Sequence, residues 1–447
     1  MRRSAPAFRG AIISHSRRLV SPGSLNPPQQ RLAQRQGDRQ YSQAMPISYE
    51  SLRAAVRGRR LPCALLDLDA VDRNCDTLAG LAAAGNPGVH LRVASKSLRS
   101  VPLLRHLLAR LGPISRGVMT FTAAETAFLA AAGLADLLLA YPTLQRADLD
   151  DLCGVAARGA LAALVVDSAE HVTAAAACAR AHGVVLPLAL DLDVSYRRFG
   201  GLVHAGVRRS PIRGAADALQ LARQVLATPG VTLRGILAYE AQVAGLPDRN
   251  PFSRLTNPVK RALRAISRSD VARLRAEVVA ALRACAGPLD LVNGGGTGSL
   301  TSTPRDAVIT EVTAGSGFVC PHLFDYYSDL TLEPAAFFAV QAARKPDPRI
   351  VTCHGGGYAA SGQAGRDRLP RPWLPGGLTL LAMEGAGEVQ TPLRCAQPAA
   401  LRAGDPVFFR HAKAGELAEH FCEYLLIRGG ELAGSFATYR GQGQCFL

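Results

Sequence analysis

The chain has 447 residues, 48% of them hydrophobic, with ten cysteines and a formal net charge of +16. That length allows two or three domains with a large core, and no apolar run reaches the roughly 18 residues of a membrane span. The cysteines form no CxxC pair, which argues against a zinc ribbon or a disulfide framework and predicts free thiols in a reducing, cytoplasmic compartment.

Residues 1–45 carry eight arginines, no lysine and a single acid, Asp38. Ser, Pro and Gln fill much of the rest, so this segment is expected to be a disordered basic tail. Its composition resembles an arginine-rich targeting peptide, although a disordered or mis-started N-terminus is the simpler account. The remaining positive charge is spread thinly, without aromatic–basic interleaving. It predicts attraction for anionic small molecules, with no nucleic-acid and no membrane partner.

From residue 61 short apolar runs alternate with helix-patterned segments. The expected strands are Ala64–Asp69, His90–Ser95, Val118–Thr122, Asp136–Tyr141, Ala162–Asp167, Leu186–Asp193, Leu233–Tyr239 and Leu289–Asn293. Helices are expected over Ala70–Ala84, Ser100–Leu111, Ala123–Ala132 and Asp270–Ala286, among others, and residues 245–269 read as a basic surface insertion. Eight such pairs predict an α/β fold, a (β/α)8 TIM barrel over residues 46–320; a doubly wound open sheet is the competing arrangement. After residue 320 the segments shorten and turn signals multiply, which predicts a C-terminal all-β domain over residues 321–447.

A barrel collects its chemistry at the C-terminal ends of its strands. Asp69, Lys96, Tyr141, Asp191, Asp193, Arg198, Tyr239, Glu240 and Asn293 fall at such ends. Lys96 closes a buried run. A lysine there either snorkels to solvent or lowers its pKa and becomes a neutral amine, a nucleophile toward carbonyls. Asp69 reads as a helix cap. The run Asn293-Gly294-Gly295-Gly296-Thr297-Gly298-Ser299 offers bare backbone N–H groups to an anion, and Ala314-Gly315-Ser316-Gly317 is a second small-residue turn. An imine-forming lysine with a cradle for one phosphate suggests pyridoxal 5′-phosphate.

These residues resemble the alanine-racemase-type pyridoxal-phosphate enzymes, and within them the D-threonine aldolase and D-serine dehydratase branch. Arg92-Val93-Ala94-Ser95-Lys96-Ser97 is similar to that branch's cofactor-lysine box. Asp193, Arg198 and Gly200 match a D-x-G-x-x-R-x-G box, with Ser195 at the usual glycine. Gly235, Tyr239 and Glu240 match a GxxxYEGH box, with Gln242 replacing the histidine. Gly294–Gly298 and Gly315-Ser316 match the phosphate-binding turns. The stretches 385–392 and 410–416 resemble proteins labelled amino acid deaminase/aldolase.

The resemblance implies a pyridoxal-phosphate-dependent lyase acting on D-β-hydroxy amino acids, by aldol cleavage or by dehydration, and a homodimer. An amino-acid racemase and a non-catalytic pyridoxal-phosphate-binding protein are the alternatives. It implies catalytic roles for Lys96 and His411. Lys96, Arg198, Tyr239, Gly295, Gly296, Thr297, Gly315 and Ser316 would hold the cofactor. Relatives bind a divalent metal near the tail through H-x-D or H-x-C, which makes His411 a candidate metal ligand. Here the motif reads His411-Ala412-Lys413, and a protonated lysine repels a cation.

Overall fold

The chain enters on β1 (Cys63–Asp67). It then builds β2 (His90–Ala94), β3 (Ser115–Thr120), β4 (Leu137–Leu139), β5 (Ala162–Val166) and β6 (Leu186–Asp191). A small hairpin follows, β7 (Tyr196–Arg198) and β8 (Val203–Ala205), and then β9 (Val231–Ala238), β10 (Leu291–Gly294) and β11 (Glu311–Ala314). In this computed structural model, which describes residues 47–397 and 401–447, β2–β6 and β9–β11 close into one parallel eight-stranded barrel. The basic tail expected over residues 1–45 lies outside the described residues.

The barrel strands are apolar on both faces because helices cover the outside and side chains fill the inside. Leu137–Leu139 and Ala162–Val166 are buried at every position. The helices between them start on ordinary caps. Ser100, Thr122 and Ser168 accept backbone N–H groups at the starts of Val101–Leu111, Ala123–Ala131 and Ala169–Ala181.

The number of barrel strands matches the expectation, but the membership differs at both ends. The first expected strand does not join the barrel. β1 pairs antiparallel with β12 (Ala336–Asp347), placing Leu65 opposite Phe337. A short apolar run carries no mark of which sheet it will join. The eighth stave is instead β11, which pairs with β10 and β2. Its sequence, Glu-Val-Thr-Ala, hides it, because Glu311 is buried only with a partner.

That partner is Arg92, fully buried within β2, whose guanidinium donates to Glu311 at 2.6 and 2.8 Å. The network spreads across the N-terminal end of the barrel. Arg92 also pairs with Asp136 at 3.1 Å, Arg234 meets Asp136 and Asp290 at 3.0 and 2.9 Å, and Arg116 reaches Asp290 at 2.6 Å. Burial opposes each charge, and the partners outweigh it: Asp136 and Asp290 lie below the usual carboxylate range.

The second sheet holds β1, β12, β13 (Ile350–His354), β14 (Arg371–Leu374), β15 (Leu378–Leu380), β16 (Gln390–Cys395), β17 (Pro406–Arg410), β18 (Glu423–Arg428) and β19 (Glu431–Ala437). Its core is aromatic; Phe338 stacks on Phe409 with ring centroids 5.3 Å apart. The expected basic insertion is largely helical: one helix runs from Asn257 to Ala286, with Pro258 in its first turn. It buries Arg264 and Arg275 and leaves other arginines on its outer face.

Candidate active site

Past β2 a 3₁₀ turn, Ser95–Ser97, sets Lys96 on the C-terminal rim of the barrel. Ser95 Oγ donates to the Met119 carbonyl at 2.9 Å, and Ser97 Oγ lies 3.1 Å from Ser316 Oγ. Solvent reaches Lys96, yet protein surrounds it on most sides. That enclosure, then the charges of Lys413, Arg209 and Arg99, push its amine below the ordinary lysine range. Two of those cations have acids of their own. Arg209 meets Asp191 at 3.1 Å, and Arg99 pairs with Glu419. Burial still pushes the Asp191 carboxyl up to about 6.

The glycine-rich loop leaves the seventh barrel strand, β10, rather than the eighth. The Gly315-Ser316 turn leaves the eighth, β11. These are the two positions where barrels of this kind gather phosphate. Gly295 has φ +79°, in the left-handed region that favours glycine. A Cβ on Gly298 would come within 2.2 Å of the Ala244 carbonyl oxygen, so the loop is pressed too tightly against its neighbour for a side chain.

Glu240 clamps this loop. Its carboxylate accepts from the Gly295 N–H at 3.0 Å, from Ser299 Oγ at 2.7 Å, and from Thr303 and Arg275. Burial alone would raise the Glu240 carboxyl, but Arg275 and these donors hold it below the usual range. Thr297 Oγ1 then accepts from the Gly317 N–H at 3.1 Å, joining the loop to the second turn. Ser316 in that turn meets Ser97, the neighbour of Lys96. The amine and both glycine turns therefore share one rim. The main-chain N–H groups of Thr297, Gly298 and Ser316 bond no acceptor among the described residues, which makes this rim electropositive.

Of the other expected site residues, Tyr239 is at hand: a Cβ on Gly296 would lie 3.1 Å from its ring. Burial raises its hydroxyl to about 12, so it stays protonated. Arg198 is not brought to the rim. It lies on the outer hairpin, pairs with Asp270 at 2.8 Å and covers the Tyr196 ring. Arg209 and Arg99 are the arginines whose charges reach Lys96. Asp69 is neither a rim residue nor a helix cap. Asp67 caps the helix Leu68–Ala83, while Asp69 meets Arg428 at 3.0 Å. Asn293 turns inward to Glu311 and Thr313, at 2.6 and 2.8 Å.

His411 follows β17 and is buried behind the rim. Its ring bonds the Ala336 backbone, Nδ1 has no partner among the described residues, and burial, then His322 and Arg410, push its pKa down to about 3. A divalent ion does not fit these residues. One free nitrogen between Arg410 and Lys413 is not a ligand set. Among the described residues, the three-donor group that does converge is Asp150, Cys178 and His182, on the outer helices. Arg146 already neutralises that aspartate, at 2.9 and 3.0 Å.

The family model for the alanine racemase N-terminal domain matches residues 66–315, more than half of the chain. The chain belongs to this family. A 3-hydroxy-D-aspartate aldolase from Paracoccus denitrificans is 27% identical over 255 residues, 57% of this chain and 59% of that protein. The chain thus matches less than two thirds of that relative's length. A D-threonine aldolase from an Arthrobacter species is 26% identical over 307 residues, 68% of this chain and 73% of that protein. Among solved structures, the D-threonine aldolase of Filomicrobium marinum superposes with a TM-score of 0.74 at 20% identity, covering 87% of this chain and 96% of that one. The D-threo-3-hydroxyaspartate dehydratase of Delftia sp. HT23 gives 0.66 at 22%, covering 86% and 98%. The structural likeness is one of fold: a closed barrel joined to a β domain.

Within this family's barrel, three contributors were not visible in the sequence. Arg209 sits in a loop among other arginines. Glu240 stands in a recognisable box, but its grip on Gly295, Ser299 and Thr303 exists only in the fold. Glu125 is buried beneath the rim, accepting from the Phe121 N–H at 2.9 Å and from Tyr439, at the far end of the chain, at 2.8 Å.

Proposed function

We propose that the chain is a pyridoxal 5′-phosphate-dependent lyase acting on D-β-hydroxy amino acids. The observation that carries this reading is an amine of lowered pKa sharing a rim with two backbone anion cradles. The names of the relatives support the substrate class. Lys96 would hold the cofactor's aldehyde carbon through Nζ. Gly295, Gly296, Thr297, Gly315 and Ser316 would receive its phosphate. Tyr239 lies against the glycine loop, where it would pack on the cofactor. Arg209 takes the place on the rim expected of Arg198.

When bound, the cofactor supplies an electron sink for the charge left as a bond to the α-carbon breaks. The chain's own residues set the conditions for that break. Burial and the cations around Lys96 favour its uncharged form. In a dehydration Nζ would take the α-carbon proton and pass it to the β-hydroxyl, which leaves as water; in an aldol cleavage the β-hydroxyl proton would pass to the α-carbon as the aldehyde leaves. Arg209 and Arg99 would draw the substrate carboxylate to the rim. His411 is too buried to reach the substrate, so its part is structural, joining β17 to β12 through Ala336. The homodimer implied by the resemblance belongs to this reading, and sedimentation of the holoenzyme tests it. No helix of the described residues is long and apolar enough to cross a membrane.

The test is to supply the purified protein with cofactor and then with D-threonine, D-serine and L-alanine. Formation of aldehyde or keto acid supports a lyase, whereas racemisation alone overturns it. Lys96→Ala is expected to lower turnover by about a thousandfold or more and to abolish the cofactor's visible absorbance band. Retention of both removes Lys96 from the site.

A further inference from the structure

The loop that follows β17 packs on the rim beside Lys96. Gly415 has φ +98°, and a Cβ there would come within 2.0 Å of the Lys96 carbonyl oxygen. The loop therefore lies directly on the Lys96 turn with no side chain between them. Two residues earlier, Lys413 is exposed, and its Nζ donates to Ser361 Oγ at 3.0 Å. Ser361 is itself held, its N–H donating to both oxygens of Glu416 at 3.1 and 3.0 Å. No carboxylate pairs with Lys413 among the described residues. An oriented ammonium thus faces the rim with its charge unspent.

Resting on the lyase reading, we propose that Lys413 binds the β-oxygen of the amino-acid substrate and that no metal ion shares this task. An ammonium offers three donors, of which Ser361 takes one. The remaining N–H groups suit a hydroxyl that gains negative charge as its carbon neighbour leaves, or a second carboxylate on the β-carbon. A resident divalent cation would need several anionic or neutral donors. In this loop Glu416 is held by the Ser361 N–H, Glu419 pairs with Arg99 and His420 stacks on Tyr358, which leaves the buried His411 between Arg410 and Lys413.

The experiment follows ligand binding to the holoenzyme through the cofactor's absorbance. D-threonine carries the β-hydroxyl and D-alanine lacks it. Lys413→Met is expected to weaken D-threonine about tenfold or more and to leave D-alanine within about twofold, with Lys413→Arg recovering part of the loss. Ser361→Ala, which leaves the charge in place but frees it, is expected to produce a smaller loss in the same direction. An equal effect of Lys413→Met on both ligands, or on neither, overturns the proposal. Calorimetry with Mn²⁺ and Zn²⁺ after chelation is the second arm. One bound equivalent that vanishes in His411→Ala overturns the proposal, and no ion dependent on His411 supports it. A wild-type enzyme that distinguishes the two ligands through Lys413 yet releases neither aldehyde nor keto acid supports this assignment and refutes the lyase reading alone.

Discussion

The two ends of the barrel use the same charged residues in opposite ways. At the N-terminal end Arg92, Arg116 and Arg234 meet Glu311, Asp136 and Asp290, and the ion pairs plug the barrel floor. At the C-terminal end Lys96, Lys413, Arg99 and Arg209 gather; Asp191 and Glu419 pair with the two arginines, and no acid pairs with either lysine among the described residues. Matched charge on the floor favours one closed barrel. Surplus positive charge on the rim costs stability and favours an anionic guest.

The floor is where a single substitution should do most structural damage. Arg92→Ala strands Glu311 in the barrel and is expected to cost about 3–5 kcal/mol in urea unfolding, because the lost partner leaves a buried charge. Replacing Arg92 and Glu311 together with Met is expected to restore much of that. A double variant no more stable than the single one would show that packing, not charge, closes the floor.

Beneath the rim, Glu125 predicts a pH dependence. Burial pushes its carboxyl up to about 7 in the folded chain, from an ordinary 4.5. The folded form therefore holds the proton more tightly than the unfolded one. That contribution is present in full below about pH 4.5 and is lost as pH rises through about 7, by about 3 kcal/mol in all. Glu125→Gln should flatten this part of the stability curve and be more stable than the natural chain at pH 8. Parallel curves for the two proteins would remove Glu125 as the source.

A smaller effect is expected at the glycine loop. Glu240→Gln weakens the clamp on Gly295 and Ser299. It should lower affinity for pyridoxal 5′-phosphate about tenfold, while pyridoxal, which has no phosphate, binds as before. Fluorescence titration of the apoenzyme with both compounds decides this. The smallest effect belongs to Arg198. Its surface pair with Asp270 is worth about 1 kcal/mol or less, so Arg198→Met should change turnover by less than about twofold, against a larger loss in Arg209→Met. The reverse order would return Arg198 to the site.

Local patterns carried much of this architecture. The strand periodicity predicts seven of the eight staves, because a parallel strand covered on both faces must be apolar at nearly every position. Lys96 and the two glycine turns stand out for a similar reason: a lysine at the end of a buried run and clustered small residues each need a local explanation. β11 does not stand out, since its glutamate becomes acceptable only beside Arg92, more than 200 residues away. Arg198 carries the motif and Arg209 does not, yet the path of the chain sends Arg198 outward to Asp270 and Arg209 inward to Asp191.

By itself, the order of residues determined an eight-strand barrel followed by a β domain, a lysine at the end of a buried strand and two small-residue turns with bare backbone N–H groups. These depend on spacing and on the chemistry of single side chains. The folded chain alone decided that β1 belongs to the second sheet, that Glu240 and Glu125 brace the rim, that His411 is buried, and that Lys413 stands beside Lys96. Each of those outcomes depends on contacts between distant segments, and burial and charge pairing acquire their values only when those segments meet.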